Sequence, residues 1–346
     1  MNGSYVEKIY KADSVVLNEE KTEVEDAKKL HKYDAAFYSK MSMNVSGEKE
    51  SNGILNINAE NEGLDSELHL TINGGNINIK SGNDGINTNE DEVSVTTVNG
   101  GVLKIIVTGE TGEGDGIDSN GWLVIYGGTV IASACAFSGD AGIDSDMGIH
   151  INGGTVIATG NMLDRIENGG QTYAVFNFAK KQNGTEAVTF KDADGKTILD
   201  HIAENDYSVL IYSSPDLKEG TYTLWNGKTQ LSGQSGGMEN MMHGGFKPDG
   251  EMTEGMTPPE LPEDGEMPSH PDMPERGEFP EGKEPPKGEM AHEGFEPPEG
   301  GEKSEKPEGE KQRPEGFNGD TVESTAEFKI VAGANMFVGV TEYVEK

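Results

Sequence analysis

Hydrophobic and polar residues alternate in short runs that return along the first half of the chain. Aligned on a preceding glycine, they read Gly53-Ile54-Leu55-Asn56-Ile57, Gly75-Asn76-Ile77-Asn78-Ile79, Gly101-Val102-Leu103-Lys104-Ile105, Gly128-Thr129-Val130-Ile131-Ala132 and Gly154-Thr155-Val156-Ile157-Ala158. A period of two predicts strands with one buried face. Stacked as columns, Leu55, Ile77, Leu103, Val130 and Val156 fall inside, as do Ile57, Ile79, Ile105, Ala132 and Ala158. A tetrad recurs in step with the runs: Gly63-Leu64-Asp65-Ser66, Gly85-Ile86-Asn87-Thr88, Gly116-Ile117-Asp118-Ser119 and Gly142-Ile143-Asp144-Ser145. Its Leu or Ile makes a third inward column. Ile72, Val98, Ile125 and Ile151, each just before a Gly-Gly corner, make a fourth. Leu70, Leu123 and Ile149 make a fifth, in which Thr96-Thr97 predicts a one-residue bulge. The repeat of roughly 22–31 residues is the mark of a solenoid, since no single coil can bury its own hydrophobes. Parallel stacking at about 4.8 Å per coil makes it a parallel β-helix.

The same columns extend upstream to Phe37, Met41, Met43 and Val45, with Ser39-Lys40 in the tetrad's place. Residues 1–34 are polar and read as an irregular or truncated N-terminal segment. The coils occupy 35–160. Strands without the tetrad follow at 161–237 and predict an antiparallel end piece that covers the last coil. From 238 to 320, Gly, Pro, Glu and Met dominate without hydrophobic period, which predicts a long disordered insertion. Alternation resumes at 321–346, as returning strands of the end piece. The fold class is therefore all-β: a parallel β-helix with an antiparallel C-terminal end piece and a disordered insertion.

Charge sharpens the picture. A net charge of −35 argues against nucleic acid or anionic membrane as a partner. No apolar run is long enough to span a bilayer. The single cysteine, Cys135, excludes an intramolecular disulfide framework.

If the tetrad's hydrophobe points in, the next residue points out. Asp65, Asn87, Asp118 and Asp144 then form an outward column, joined by Glu62, Asp84, Asp115 and Asp140 just before the tetrads. Carboxylates one coil apart repel, and a flexible cluster of oxygen ligands suits Ca²⁺. The alternative is a solvated ladder that caps turns. A second outward face precedes the Gly-Gly corners and carries Asn99, Trp122, Tyr126, His150 and Asn152. Aromatic rings to stack on and amides for hydroxyls are what a sugar requires; an ordinary solvated sheet is the alternative. The methionines from Met238 to Met290, near His243, His270 and His292, hold ligand types suited to copper, at irregular spacing.

The tetrads, the Asn-Gly-Gly corners, the entry Asp34-Ala35-Ala36-Phe37-Tyr38-Ser39-Lys40 and the Gly-rich insertion before a last strand pair resemble a group of secreted clostridial carbohydrate-binding proteins. The resemblance covers about 34–232 and 322–346. It implies a calcium-containing, right-handed parallel β-helix similar to pectate lyases, which binds cellulose-type and acidic, pectin-like polysaccharide outside the cell or at its surface. Met1-Asn2-Gly3-Ser4-Tyr5 has no signal-peptide pattern, so a truncated N-terminus is expected. A lyase of that fold uses an arginine base near the ion. The arginines here are Arg165, Arg276 and Arg313, none in the repeat columns. The expectation is a non-catalytic binder, with a uronate lyase or an adhesive surface protein as alternatives.

Overall fold

A computed structural model describes residues 2–3, 10–17, 24–32, 35–47, 52–236 and 325–345. Every regular element among them is a strand, and none is a helix long and apolar enough to cross a membrane. The stretch 238–320, expected to be disordered, and the Met/His-rich run within it lie outside the described residues.

The N-terminal segment carries regular strands where irregular chain was expected. Strand β1 (Asn2–Gly3) pairs in parallel with a coil strand, and β2 (Tyr10–Leu17) pairs antiparallel with β3 (Val24–Lys32). Adjacent segments can pair antiparallel through a short connection, so no long-range hydrophobic pattern is needed to announce them.

The coils follow. Strands β4 (Ala35–Ser39) and β5 (Met43–Val45) belong to the entry coil. The first full coil holds β6 (Ile54–Ala59), β7 (Glu62–Ser66) and β8 (His69–Ile72). The second holds β9 (Asn76–Ser81), β10 (Ile86–Thr88) and β11 (Val95–Val98). The third holds β12 (Val102–Val107), β13 (Ile117–Ser119) and β14 (Trp122–Ile125). The fourth holds β15 (Thr129–Ser133) and β16 (Gly148–Ile151), and β17 (Thr155–Gly160) starts the next. Equivalent strands pair in parallel along three faces. The registers bring Leu55, Ile77, Leu103, Val130 and Val156 into line, and Ile57, Ile79, Ile105, Ala132 and Ala158 beside them. All are buried except Leu55, which is half-buried at the first coil and packs on the same core.

Two details of the columns differ from expectation. Thr96 makes no bulge: it stands in register between Leu70 and Leu123, fully buried, with its hydroxyl 3.1 Å from that of Thr88. Its polarity is satisfied within the coil, so an inward position costs little. In the entry coil, Phe37, Tyr38 and Ser39 align with Leu64, Asp65 and Ser66, so the tetrad's place is one step earlier than Ser39-Lys40. Met41 is then left exposed.

The fourth tetrad residue points inward. Ser66 donates to Met41 O at 2.7 Å, Thr88 lies 2.8 Å from the Ser119 hydroxyl, and Ser145 donates to Gly121 O at 2.7 Å. These hydroxyls tie one coil to the next where the chain turns. The corner glycines are needed twice over. Gly101 has φ +85°, and a Cβ there would lie 2.6 Å from Gly75 O on the coil below. An L side chain meets both backbone strain and a clash.

The end piece contains β18 (Tyr173–Gln182), β19 (Val188–Asp192), β20 (Thr197–His201), β21 (Tyr207–Ser213), β22 (Gly220–Asn226), β23 (Thr229–Gly236), β24 (Phe328–Ile330) and β25 (Ala334–Glu342). Strand β21 pairs antiparallel with β17 and so closes the open edge of the last coil. Its other pairings are antiparallel too, except β18 with β25, which run parallel. No hairpin joins those two strands, so none dictates their direction. A second core of Phe176, Phe190, Phe328, Phe337, Tyr212 and Tyr222 fills the end piece and takes in Ile157 from the coil's outer face. Lys104 pairs with Glu204 at 2.7 Å, and Asn205 donates to Val107 O at 2.6 Å and Ala134 O at 2.7 Å. The end piece thus covers the flank of the last coils as well as their edge.

Candidate functional site

The acidic column lies on the outer side of the β4, β7, β10 and β13 face. Tyr38, Asp65, Asn87 and Asp118 are in register, and the fourth tetrad continues the stack through Asp144 N donating to Ile117 O at 2.7 Å. The column is outward but partly covered: Asp65 is 0% exposed and Asn87 7%, Asp84 is buried, and Asp115, Asp118, Asp140 and Asp144 are half-buried. The ladder is thus shielded from solvent more than the alternative supposed, while its acids do bond the turns of neighbouring coils. Alternation tells which way a side chain points, not what covers that side.

The acids before the tetrads tie neighbouring coils together, Asp84 and Asp115 to the coil that follows and Asp140 to the coil before. Asp84 Oδ1 accepts from Asp115 N at 2.7 Å, and Asp115 Oδ1 accepts from Ala141 N at 2.5 Å. Asp140 Oδ2 accepts from Gly114 N at 2.6 Å and from the Ser138 hydroxyl. Asp164, after the last coil, accepts from Ser145 N at 2.9 Å. Asp65 accepts from Asn89 Nδ2 at 2.6 Å, and Glu62 from Asn87 Nδ2 at 3.4 Å.

Burial, and then crowding, raises Asp115, Asp118 and Asp144. Burial first, then Asp144, push the Asp115 carboxyl up to about 9, with Asp118 and Asp84 adding to it against the Ala141 hydrogen bond. Burial and the charges of Asp84, Asp144, Asp146 and Glu62 hold Asp118 well above the carboxylate range. Asp144 is raised by burial and by Asp164 and Asp146. Asn87 Oδ1 is buried, and no donor faces it among the described residues. A buried oxygen without a donor, in register with carboxyls on the coils to either side, offers oxygen chemistry of the kind a cation takes. No three carboxylate, imidazole or thiol groups among the described residues are converged as a ready-made metal cluster.

The second face divides in two. Asn73, Asn99, Tyr126 and Asn152 form an exposed column at the Gly-Gly corner, with Tyr126 53% exposed and Asn99 Nδ2 donating to Asn73 Oδ1 at 2.9 Å. Trp122 is not part of that surface. It is 7% exposed and packs with Val95, Val124 and Met147. Three outward apolar residues on neighbouring coils bury one another, which removes the indole from reach of a ligand. His150 is half-buried, and burial lowers its pKa.

Phe137, which no periodicity marked, is 79% exposed on the loop beside Asp140. Its signal in sequence is only an aromatic within the short Ala136-Phe137-Ser138-Gly139 turn.

Comparison with known families adds the identity of the fold's ligand class. A family model described as a carbohydrate-binding domain-containing protein matches residues 5–229, from β2 to β22 with every coil between. Searches of curated proteins and of solved structures return no match. The family match spans more than half of the chain, and with this β-solenoid it places the chain in the carbohydrate-binding domain family.

Proposed function

We propose that the chain is a non-catalytic module that holds acidic, pectin-like polysaccharide through calcium at the acidic column. The observation that carries this reading is the stacked column itself, in which Asn87, in register between Asp65 and Asp118, keeps a buried Oδ1 without a donor beside acids raised by burial and by one another. Oxygen-only ligands in an adaptable set favour calcium over softer or smaller ions. Asp84, Asp115, Asp118 and Asp144 would hold it, with Asn87 contributing its amide oxygen and Asp65 and Asp140 at the ends of the column. The reading requires side chains on neighbouring coils to turn toward a shared ion. Calcium bound there supplies the positive charge that lets a uronate approach a chain of net charge −35. Neutral, cellulose-type glycan would use the exposed Asn99, Tyr126 and Asn152 instead.

Binding without turnover is favoured because Arg165, beside Asp164, is engaged already. Its Nε pairs with Glu167 at 2.6 Å and its Nη2 donates to Met147 O at 2.7 Å, which leaves it poorly placed as a base. Such glycans lie outside cells, so the reading puts the chain outside the cell or at its surface. The test is retention on insoluble polygalacturonate with calcium and with EDTA, while absorbance follows unsaturated uronides. Retention that calcium strengthens and EDTA weakens, with no absorbance rise, supports the reading. Retention unchanged by EDTA, or steady release of uronides, overturns it.

A further inference from the structure

The loop that carries Phe137 is held from several sides. Asn161 Nδ2 donates to Cys135 O at 3.1 Å and to Ser138 O at 2.8 Å. Phe137 N donates to Cys135 Sγ at 3.3 Å. The loop's carboxylate, Asp140, is occupied by Gly114 N and the Ser138 hydroxyl. Lys181, exposed near the end of β18, donates its ammonium to Ala136 O at 2.5 Å. A rigid turn therefore displays a bare phenyl ring, 79% exposed, beside a cation. Folding gains nothing from such a ring in water, whereas a saccharide face laid on it removes apolar surface from both. The ammonium has donors left after Ala136 O, and a carboxylate is its natural partner. A ring with one apolar face and one carboxylate is a uronosyl residue.

We propose that Phe137 and Lys181 form a second saccharide subsite, which takes one uronosyl residue of an acidic polysaccharide without a bound cation. Phe137 takes the sugar face, and Lys181 takes the carboxylate. The subsite rests on the reading of the chain as a polysaccharide binder but does not need calcium at the acidic column. An acidic glycan with residues on both sites would be held at two points, and dissociation would slow accordingly.

The test is calorimetric titration of the full chain with trigalacturonate in EDTA, with Phe137→Ala, Lys181→Met and Lys228→Met beside the wild type. Phe137→Ala should weaken the EDTA-resistant binding about fivefold. Lys181→Met should weaken it and remove most of its salt dependence. Lys228→Met, at an exposed lysine in the turn between β22 and β23, should leave it unchanged. Melting temperatures of the Phe137 and Lys181 variants should match the wild type, which separates loss of the subsite from loss of the loop. EDTA-resistant binding that survives both substitutions overturns the subsite. Binding that appears only with calcium also overturns it, yet leaves the acidic-column reading standing. Absence of binding in either buffer removes both.

Discussion

Asp115→Asn in calcium-free buffer isolates the electrostatic cost of the acidic column. The substitution keeps an oxygen for Ala141 N, now 2.5 Å from Asp115 Oδ1, and removes the charge. In the unfolded chain the carboxyl ionises near its ordinary 3.8, while in the folded chain burial and the neighbouring acids raise it to about 9. Between those values the folded state binds a proton that the unfolded state has lost, so rising pH favours unfolding. One such proton gives a slope of about 1.4 kcal/mol per pH unit, or about 2 kcal/mol between about pH 7 and 8.5. Below about pH 4 both states are protonated and the contribution is fully present. The asparagine variant has no proton to lose at this position, and groups that do not interact with Asp115 cancel in the difference. Urea unfolding in EDTA at several pH values across that window should therefore show Asp115→Asn gaining on the wild type as pH rises, by about 2 kcal/mol in total. A difference that does not change with pH would refute the burial and crowding of the Asp115 carboxyl on which the site is built.

Further outcomes follow from individual contacts. Gly101→Ala should cost at least about 2 kcal/mol in urea unfolding, because φ +85° and the Gly75 carbonyl both oppose a methyl group; an unchanged midpoint would contradict the corner geometry. Thr96→Val should change stability by no more than about 1 kcal/mol, since Thr88 keeps its contact with Ser119 and valine suits a column of Leu70, Leu123 and Ile149; a larger loss in thermal unfolding would show that the Thr88 contact holds more than one bond. Trp122→Ala should cost about 3–5 kcal/mol, while Tyr126→Ala should leave stability nearly intact and lower retention on cellulose; the opposite pattern in paired melting and pull-down assays would return Trp122 to the binding surface.

The coils were legible because three signals agreed. Ile77 and Leu103 alternate with Asn78 and Lys104, Gly75 and Gly101 mark the same corner, and Ile86 and Ile117 return at the tetrads. The hydroxyls of Ser66, Ser119 and Ser145 were visible as a recurring residue type, but their burial and their bonds between coils depend on three-dimensional placement. Thr96, polar in a column of hydrophobes, suggested a bulge and is instead buried in register. Burial of outward residues is not written in local alternation. Asp65 and Trp122 point away from the coil core and are still buried, because cover on an outer face comes from elsewhere in the chain. The acidic column was legible as a set of residues, whereas its crowding and the donorless Asn87 oxygen depend on three-dimensional placement. Phe137 lies in a turn outside every repeat, and only its exposure and the nearby Lys181 distinguish it.

The central claim concerns where calcium sits. Diffraction from crystals grown with millimolar calcium, compared with crystals grown in EDTA, locates the ion directly. The account predicts ion density at about 2.3–2.6 Å from carboxylate oxygens of Asp115, Asp118 and Asp144. Asn87 Oδ1 should join the ligands, and the peak should be absent in EDTA. Well-ordered coils with no ion density along that column at saturating calcium would contradict it.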